Sequence, residues 1–585
     1  MDIMLLHDSH NEFYRTPSGP APAGSNVLIR LHCDEATSVV LRTWMTEELC
    51  YTMLPTAEHV WEVAIPLPTT PGLFWYYFLI YRKDGRTIRY GNQPDKLGGV
   101  GVAYDHGEPE SFQITLYDPA YKTPNAFHGA NIYQIFPDRF RHAPTKAVDD
   151  RKDRYVHKNW DEELLGVGDL RGGKYQELDF YGGTLTGIQE KLPYLKDMGI
   201  DIIYLNPIFR ARSNHRYDTG DYTHVDPTFG TNEDFVRLCR AARANGIRVM
   251  LDGVFSHTGD NSVYFNRYGL YDSVGAYQSK DSPYASWYRF HDYPEEYDCW
   301  WGVKTLPEVD ENCRSYRDFI IYNEDSVVAQ WIARGALGWR LDVADELPDD
   351  FICELRARVK LENPEAAVLG EVWEDASNKV AYGQLRSYAL GRSLDSVMNY
   401  PLRTALLNFF TGRGTARDFA RTVNSLHENY PPQMFYALMN LIGSHDRARA
   451  LNALSGLSGE DAPKETWRDL ELDGPHYRMA RQRLMALFAL VCALPGMPTI
   501  YYGDEAGMQG AGDPYNRGTY PWGHEDQELI AFYARTIARR RAEPLWRRGA
   551  LALLAPHPDV LLVVRRVENG RDALGERAHN GCVLF

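Results

Sequence analysis

No Cys-x-x-Cys pair and no zinc-like Cys/His spacing occurs in this chain, although eight cysteines are scattered from Cys33 to Cys582. That scatter excludes a metal-clipped or disulfide-framed fold and fits buried, reduced thiols, the state kept in the cytoplasm. Long apolar runs are also missing. The longest, Leu484 to Leu494, stops at Pro495; it is too short for a membrane span and reads as a buried helix. The opening MDIMLLHDSH carries no basic stretch and too short an apolar run for a secretion signal. Positive charge is short as well. With a net charge of −16, neither nucleic acid nor an anionic membrane is expected as the main partner. The basic run Arg539, Arg540, Arg541, Arg547 and Arg548 reads as a solvated helix face, since no aromatics interleave with it. The glycine-rich GVGDLRGG (166–173) has the wrong spacing for a phosphate loop, and no strand leads into it.

Aromatics, by contrast, are plentiful: 38 Tyr, 23 Phe and 13 Trp. Sugar rings have apolar C–H faces that stack on aromatic rings, so the excess suits a carbohydrate binder, although ordinary cores use aromatics too. The 585 residues fit two to four domains, and 44% hydrophobic content fills a large core. Residues 1–122 alternate apolar and polar positions in VLIRLH (27–32), VVLRTWM (39–45), VWEVAIPL (60–67) and LFWYYFLIYRKDGRTIRYG (73–91). This rhythm, with Asp84-Gly85 as a hairpin turn, predicts an antiparallel β-sandwich.

From residue 123 to 540 the rhythm changes. Short apolar runs recur in NIYQIF (131–136), IDIIYLNPIF (200–209), IRVMLDGVF (247–255), ALGWRLDVA (336–344), AAVLGEVW (366–373), SLDSVMNY (393–400), QMFYALMN (433–440) and MPTIYYGDE (497–505). Amphipathic stretches such as 187–199 and 232–246 separate them. Eight strands alternating with helices predict an α/β fold, a closed (β/α)8 TIM barrel. The Tyr/Trp-rich segment 258–320 is too long for one helix and loop; it is an insertion after the third strand, placed to wall the mouth. Residues 541–585 carry LALLA (551–555) and VLLVVRRV (560–567), a short C-terminal β-domain that ends as if in mid-strand and is expected to be incomplete.

Acidic residues stand at the C-terminal ends of these strands, where parallel barrels keep their catalytic groups. In GWRLDVADE, Arg340 and Asp342 lie two apart and so point to one face. A guanidinium there is expected to orient the carboxylate and lower its pKa, as a nucleophile needs; a structural ion pair is the alternative. GEVW places Glu371 on the next strand, where Val372 and Trp373 are expected to wall it dryly and raise its pKa, as a general acid needs. GSHD brings His445 and Asp446 after the seventh strand, and LDGVFSHTG brings Asp252 and His257 at the third. In NHRYDTGDYTHVDPTFG (214–230), Tyr217 reads as a stacking platform and Asp218 as a hydroxyl partner or loop anchor. Glycoside hydrolysis needs one carboxylate to attack or stabilise an oxocarbenium-like centre and one carboxylic acid to protonate the leaving oxygen, and these positions supply both.

With these residues in hand, the chain resembles the α-amylase superfamily, from near residue 10 to about 570. LDGVFSH, GWRLDVADE, GEVW and GSHD resemble its four signature regions, in the right order and on the expected strands. The match is closest to the neopullulanase, cyclomaltodextrinase and maltogenic amylase branch, which YQIFPDRF (133–140) and the starch-binding-like N-terminal sandwich also resemble. The resemblance implies a retaining double displacement. Asp342 would be the nucleophile, Glu371 the acid/base and Asp446 the transition-state stabiliser, with the first two carboxyls roughly 5–5.5 Å apart. Arg340, His257, His445, Tyr217, Asp252, Trp373 and Glu374 would contact or position the substrate. It further implies hydrolysis of α-1,4 bonds in maltodextrins, cyclodextrins or pullulan, with an ordinary α-amylase or a transglycosylase as alternatives. A cytoplasmic homodimer through the N-terminal domain is implied too.

The chain departs from the branch in several places. LPEVD (306–310) stands where MPKLN is typical, Asp345 replaces the Asn of VANE, and Glu374 replaces a His after GEVW. No cofactor is expected: the branch's calcium loop is not recognisable, and Thr184 stands where it has Asp. Asp149, Asp150 and Asp153 form an alternative acidic cluster.

Overall fold

The computed structural model describes residues 4–57, 59–147, 149, 151, 154–166, 177–457 and 463–585. Most of GVGDLRGG, together with Asp150 and Asp153, lies outside them. Eight short parallel strands build the centre: Ile132–Ile135, Ile202–Leu205, Arg248–Gly253, Gly338–Leu341, Ala367–Gly370, Ser396–Val397, Met439–Asn440 and Met497–Tyr501. They pair in the spatial order sixth, fifth, fourth, third, second, first, eighth, seventh. A parallel bridge from Met398 to Met439 joins the two ends and closes the barrel.

These runs form strands because both faces are covered, so an unbroken apolar stretch suits a central parallel strand. Ile132, Ile202, Met250, Leu369, Met398, Met439 and Met497 fill one cluster, while Ile203, Val249, Trp339 and Val368 pack into the larger one. Side chains alternate faces with period two. The inward positions therefore step from Met250 to Asp252 and from Gly338 to Arg340 as the strands reach the mouth.

The first half of the 433–440 run is not strand. Pro431 and Pro432 open a helical turn, Pro432–Phe435, and the seventh strand is only Met439–Asn440. Leu484–Ala493 lies in the helix Gly474–Ala493, where Leu484, Leu487, Phe488, Leu490 and Val491 are buried. No described helix is long and apolar enough to cross a membrane.

The solvated reading of the basic run fails at Arg540. It is 1% exposed and donates to the carbonyls of Cys492, Leu494 and Gly496, satisfying groups that the helix end leaves unpaired. The eight cysteines are free thiols, but Cys50 and Cys582 are exposed rather than buried.

Near the N-terminus a five-stranded and a seven-stranded sheet share a core of Val27, Ile29, Leu41, Phe74, Phe78 and Ile114. The hairpin Gly72–Arg82 with Thr87–Gly91 turns at Asp84-Gly85, where Gly85 takes φ +80°. Gln113 of this region donates to Ser377, in the loop after the fifth barrel strand. The insertion after the third strand holds a small hairpin, Phe290–Asp292 with Glu296–Tyr297, and buries Tyr264, Trp287 and Tyr288. Towards the end of the chain, Ala550–His557, Val560–Val567 and Gly581–Leu584 form an antiparallel sheet.

Candidate active site at the barrel mouth

Strands three, four and five bring their inward residues together around one guanidinium. Arg340 is fully buried; its Nη1 lies 2.8 Å from Asp252 Oδ1 and 2.7 Å from Asp342 Oδ1, and its Nη2 lies 2.8 Å from Glu371 Oε2. Strand register makes this possible, since Asp252 sits opposite Arg340. The turn after Asp342 is strained: Val343, a β-branched residue, holds φ +37°. That conformation accompanies a 2.9 Å hydrogen bond from the Val343 amide to Glu371 Oε2.

A directed chain of hydrogen bonds runs through the opposite wall. Gln134 Nε2 donates to His445 Nδ1 at 2.9 Å, which leaves Nε2–H of His445 to donate to the Tyr217 hydroxyl at 2.5 Å. Tyr217 in turn donates to Asp252 Oδ2 at 2.9 Å, an oxygen that also accepts from Tyr204 at 2.5 Å. Asn206 donates to the Tyr217 oxygen. Asp252 thus acts purely as an acceptor in the supporting wall. The loop bearing Asp446 is pinned from beneath by Asn516 and Arg517, which donate to the His445 carbonyl. Asp446 lies 3.2 Å from His445 Nε2.

Burial dominates the charge states. It pushes Asp342 well above the usual carboxylate range; Arg340 pulls the other way, while Glu371, Asp252 and Asp446 add to the rise. The expected lowering by Arg340 is present but outweighed by burial, so Asp342 lies above rather than below its ordinary value. Burial, then the Glu371 charge, pushes Asp446 up to about 7. Burial brings His257 down to about 4 and His445 well below its usual range, the latter with help from Arg340 and Arg517. Both histidines are neutral at neutral pH.

Asp342, Glu371, Asp446, Arg340, Asp252, His445 and Tyr217 thus come together. His257 lines the mouth beside the insertion, where it pairs by backbone with Glu308 of LPEVD and sits 5.6 Å from the Trp300 ring. Tyr217 lies nearly parallel to His445 and edge to edge with it across the hydroxyl–Nε2 hydrogen bond, their ring centroids 5.2 Å apart. Asp218 is a loop anchor, accepting from the Arg212 and Ser213 amides.

One expectation fails near Glu371. Trp373 is no dry wall: it is 41% exposed, stacks on Tyr400 at 4.3 Å and donates its Nε1–H to Glu371 Oε1 at 3.2 Å. Val372 turns away into the core. Glu374 stands apart from the Arg340 cluster and pairs with Lys379, which also lies 3.0 Å from Asp345. The two departures at Asp345 and Glu374 therefore share one cation. As for calcium, both oxygens of Asp149 are taken, by Arg151 and Arg154, and Thr184 caps a helix at the Gly187 amide.

Sequence reading missed Gln134, Tyr204, Asn206, Asn516 and Arg517. For the first three a signal existed: each is a polar group at an inward position of, or just beyond, an otherwise apolar strand.

A closed parallel barrel that gathers four carboxyls and one guanidinium at the C-terminal ends of its strands is the barrel of an enzyme. The chain belongs to the α-amylase family of glycosidases, whose "Alpha amylase, catalytic domain" model matches residues 134–546. It is 37% identical to an amylopullulanase of Thermoanaerobacterium saccharolyticum over 98% of this chain and 47% of that protein. It is 32% identical to a cyclomaltodextrinase of Geobacillus thermopakistaniensis over 86% of this chain and 79% of that one. Among solved structures, the cyclic α-maltosyl-(1→6)-maltose hydrolase of Arthrobacter globiformis matches with a TM-score of 0.63 and 29% identity, over 76% of this chain and 90% of that one. The chain spans about half or less of the amylopullulanases it matches.

Proposed function

We propose that the protein hydrolyses α-1,4-glucosidic bonds in maltodextrins, cyclodextrins or pullulan with retention at the anomeric carbon. One observation carries the reading: three carboxyls grip a single buried guanidinium, with a fourth facing Glu371. Asp342, its carboxylate form favoured by Arg340 against the cost of burial, attacks the anomeric carbon while Glu371 protonates the departing oxygen; water, deprotonated by Glu371, then releases the sugar from Asp342. Asp446 supplies negative charge beside the oxocarbenium-like centre. Neutral His257 and His445 present hydrogen-bonding nitrogens to sugar hydroxyls without adding a cation beside the developing positive charge.

Asp342→Asn and Glu371→Gln are expected to lower kcat on maltoheptaose by at least about 1000-fold. Near-full activity in either variant overturns the reading. Initial rates on β-cyclodextrin, pullulan and soluble starch separate the substrates, and product anomers read by NMR test retention. Starch far ahead of cyclodextrin favours an ordinary α-amylase, and longer products than substrates favour transfer. The free thiols and acidic surface fit a cytoplasmic protein, and we propose a homodimer through the N-terminal sheets; light scattering should give a mass near twice 66.9 kDa.

A further inference from the structure

The loop that leads away from Glu371 is fastened by the N-terminal sheets. From the end of the fifth strand the chain passes through Trp373, whose indole donates to Glu371 Oε1 at 3.2 Å, into a turn at residues 375–378. Gln113, on the strand Phe112–Tyr117 of the seven-stranded sheet, reaches this turn. Its Nε2 donates to Ser377 Oγ at 3.2 Å and to Thr115 Oγ1 at 3.0 Å, and its Oε1 accepts from Asn378 Nδ2 at 2.8 Å. Both N–H donors and the oxygen of the amide are thus in use.

A second route closes a ring of contacts. Asp375 Oδ1 accepts from the Ser377 amide, and its Oδ2 accepts at 3.1 Å from Asn429, the last residue of the helix Ala416–Asn429. The neighbouring Glu428 pairs with Arg15 Nη2 at 2.8 Å, and Arg15 Nη1 donates to the Gln113 carbonyl at 2.9 Å. Burial acts to raise Glu428, but Arg15 and His10 hold it down at about 2, so its pairing with Arg15 stays ionic at neutral pH. The Ala376 amide adds a 2.7 Å bond to the Tyr430 hydroxyl. Arg15, Gln113, Ser377, Glu428 and Asn429 are all buried. A buried polar network of this kind is costly when half satisfied, so the turn is held tightly as long as Gln113 keeps its place in it.

We propose that Gln113 is a positioning residue for proton donation: by fixing the turn at residues 375–378, it sets the Trp373 indole that orients the Glu371 carboxyl. The proposal rests on the reading of Glu371 as the acid/base. The fifth strand fixes the Glu371 backbone, but the carboxyl turns on its own torsions and takes its direction from its hydrogen-bond partners. A small error in the angle at which the acid meets the leaving oxygen slows the reaction without weakening binding. The N-terminal sheets therefore contribute to the chemistry through a side chain that touches no substrate.

The test compares two substrates that need the proton unequally. The sugar leaving group of maltoheptaose departs poorly without a proton, whereas 4-nitrophenyl α-maltoside releases nitrophenolate, which departs without one. Gln113→Met keeps the side-chain volume and removes the hydrogen bonds. In this variant kcat/KM for maltoheptaose should fall about tenfold, and that for the aryl maltoside by less than about twofold. Ser377→Ala combined with Asn378→Ala should give the same pattern from the barrel side, and adding Gln113→Met to that pair should cost nothing further. If Gln113→Met does not fold, the barrel-side pair alone decides between the patterns. Equal losses on both substrates overturn the proposal, because poorer folding or binding falls on both alike. Unchanged kinetics on maltoheptaose overturn it too, as does a further loss in the triple variant. If the unmodified protein cleaves neither substrate, the reading of Glu371 itself falls, and the positioning role with it.

Discussion

The barrel mouth and its rim use the same device in opposite settings. In the mouth, Arg340 gathers Asp252, Asp342 and Glu371 with no exposure of its own side chain. On the rim, Lys379 gathers Asp345 and Glu374, whose side chains are 24% and 63% exposed. The ions are alike, but the surroundings are not. In a low dielectric a cation removed from its partners leaves charges that water cannot reach, whereas on a wet surface solvent and salt take over most of the pairing. Breaking the mouth cluster is therefore costly, and breaking the rim cluster is cheap.

The largest expected effect breaks the inner half of this comparison. Arg340→Met should lower stability by about 3–5 kcal/mol, read by urea unfolding, because three buried carboxyls lose their only shared cation. The loss should shrink as the pH falls from about 8 to about 5 and Asp252 and Asp342, both held above their ordinary value chiefly by burial, take up protons. A loss that does not change with pH would show packing, not charge, to be at stake.

Asp446→Asn comes next and has the opposite sign. The folded value of Asp446, about 7, lies above its ordinary 3.8, so the fold disfavours its ionised form. That destabilisation is absent below pH 3.8, grows between the two values and is complete above about 7. The variant should thus melt higher than the unmodified protein at about pH 8, by less at about pH 5, while losing activity; equal melting points at both pH values refute the assignment.

The smallest effect is expected on the rim. Lys379→Met should change stability by less than about 1 kcal/mol, with whatever difference exists vanishing in high salt. A loss as large as that of Arg340→Met would erase the distinction between the two clusters.

Much of the fold was legible in the sequence because the central strands are covered on both faces and must read as apolar runs. The shortest strands, Ser396–Val397 and Met439–Asn440, were located but overextended, since two prolines turned the start of the seventh run into a helix. The carboxyls were legible because their frames bind them to strand ends. Their surroundings were less so. Trp373 follows Glu371 by two residues and was read as an apolar neighbour, yet beyond the strand the period-two rule lapses, and its indole instead donates to Glu371. Arg540 was read from its charged neighbours as solvated, while the helix end it caps lies almost fifty positions away in sequence.

The sequence by itself determined the barrel, its family and the identity of the acidic residues, because periodicity and strand-end position are local properties of the chain. Only the tertiary structure decided the partners: that Arg340 serves three carboxyls rather than one, that His445 and Tyr217 form a hydrogen-bonded chain to Asp252, that Asp342 is raised rather than lowered. These follow from burial and from contacts between strands far apart in the chain. The charge of a group depends on every neighbour within a few ångströms, whichever part of the chain supplies it.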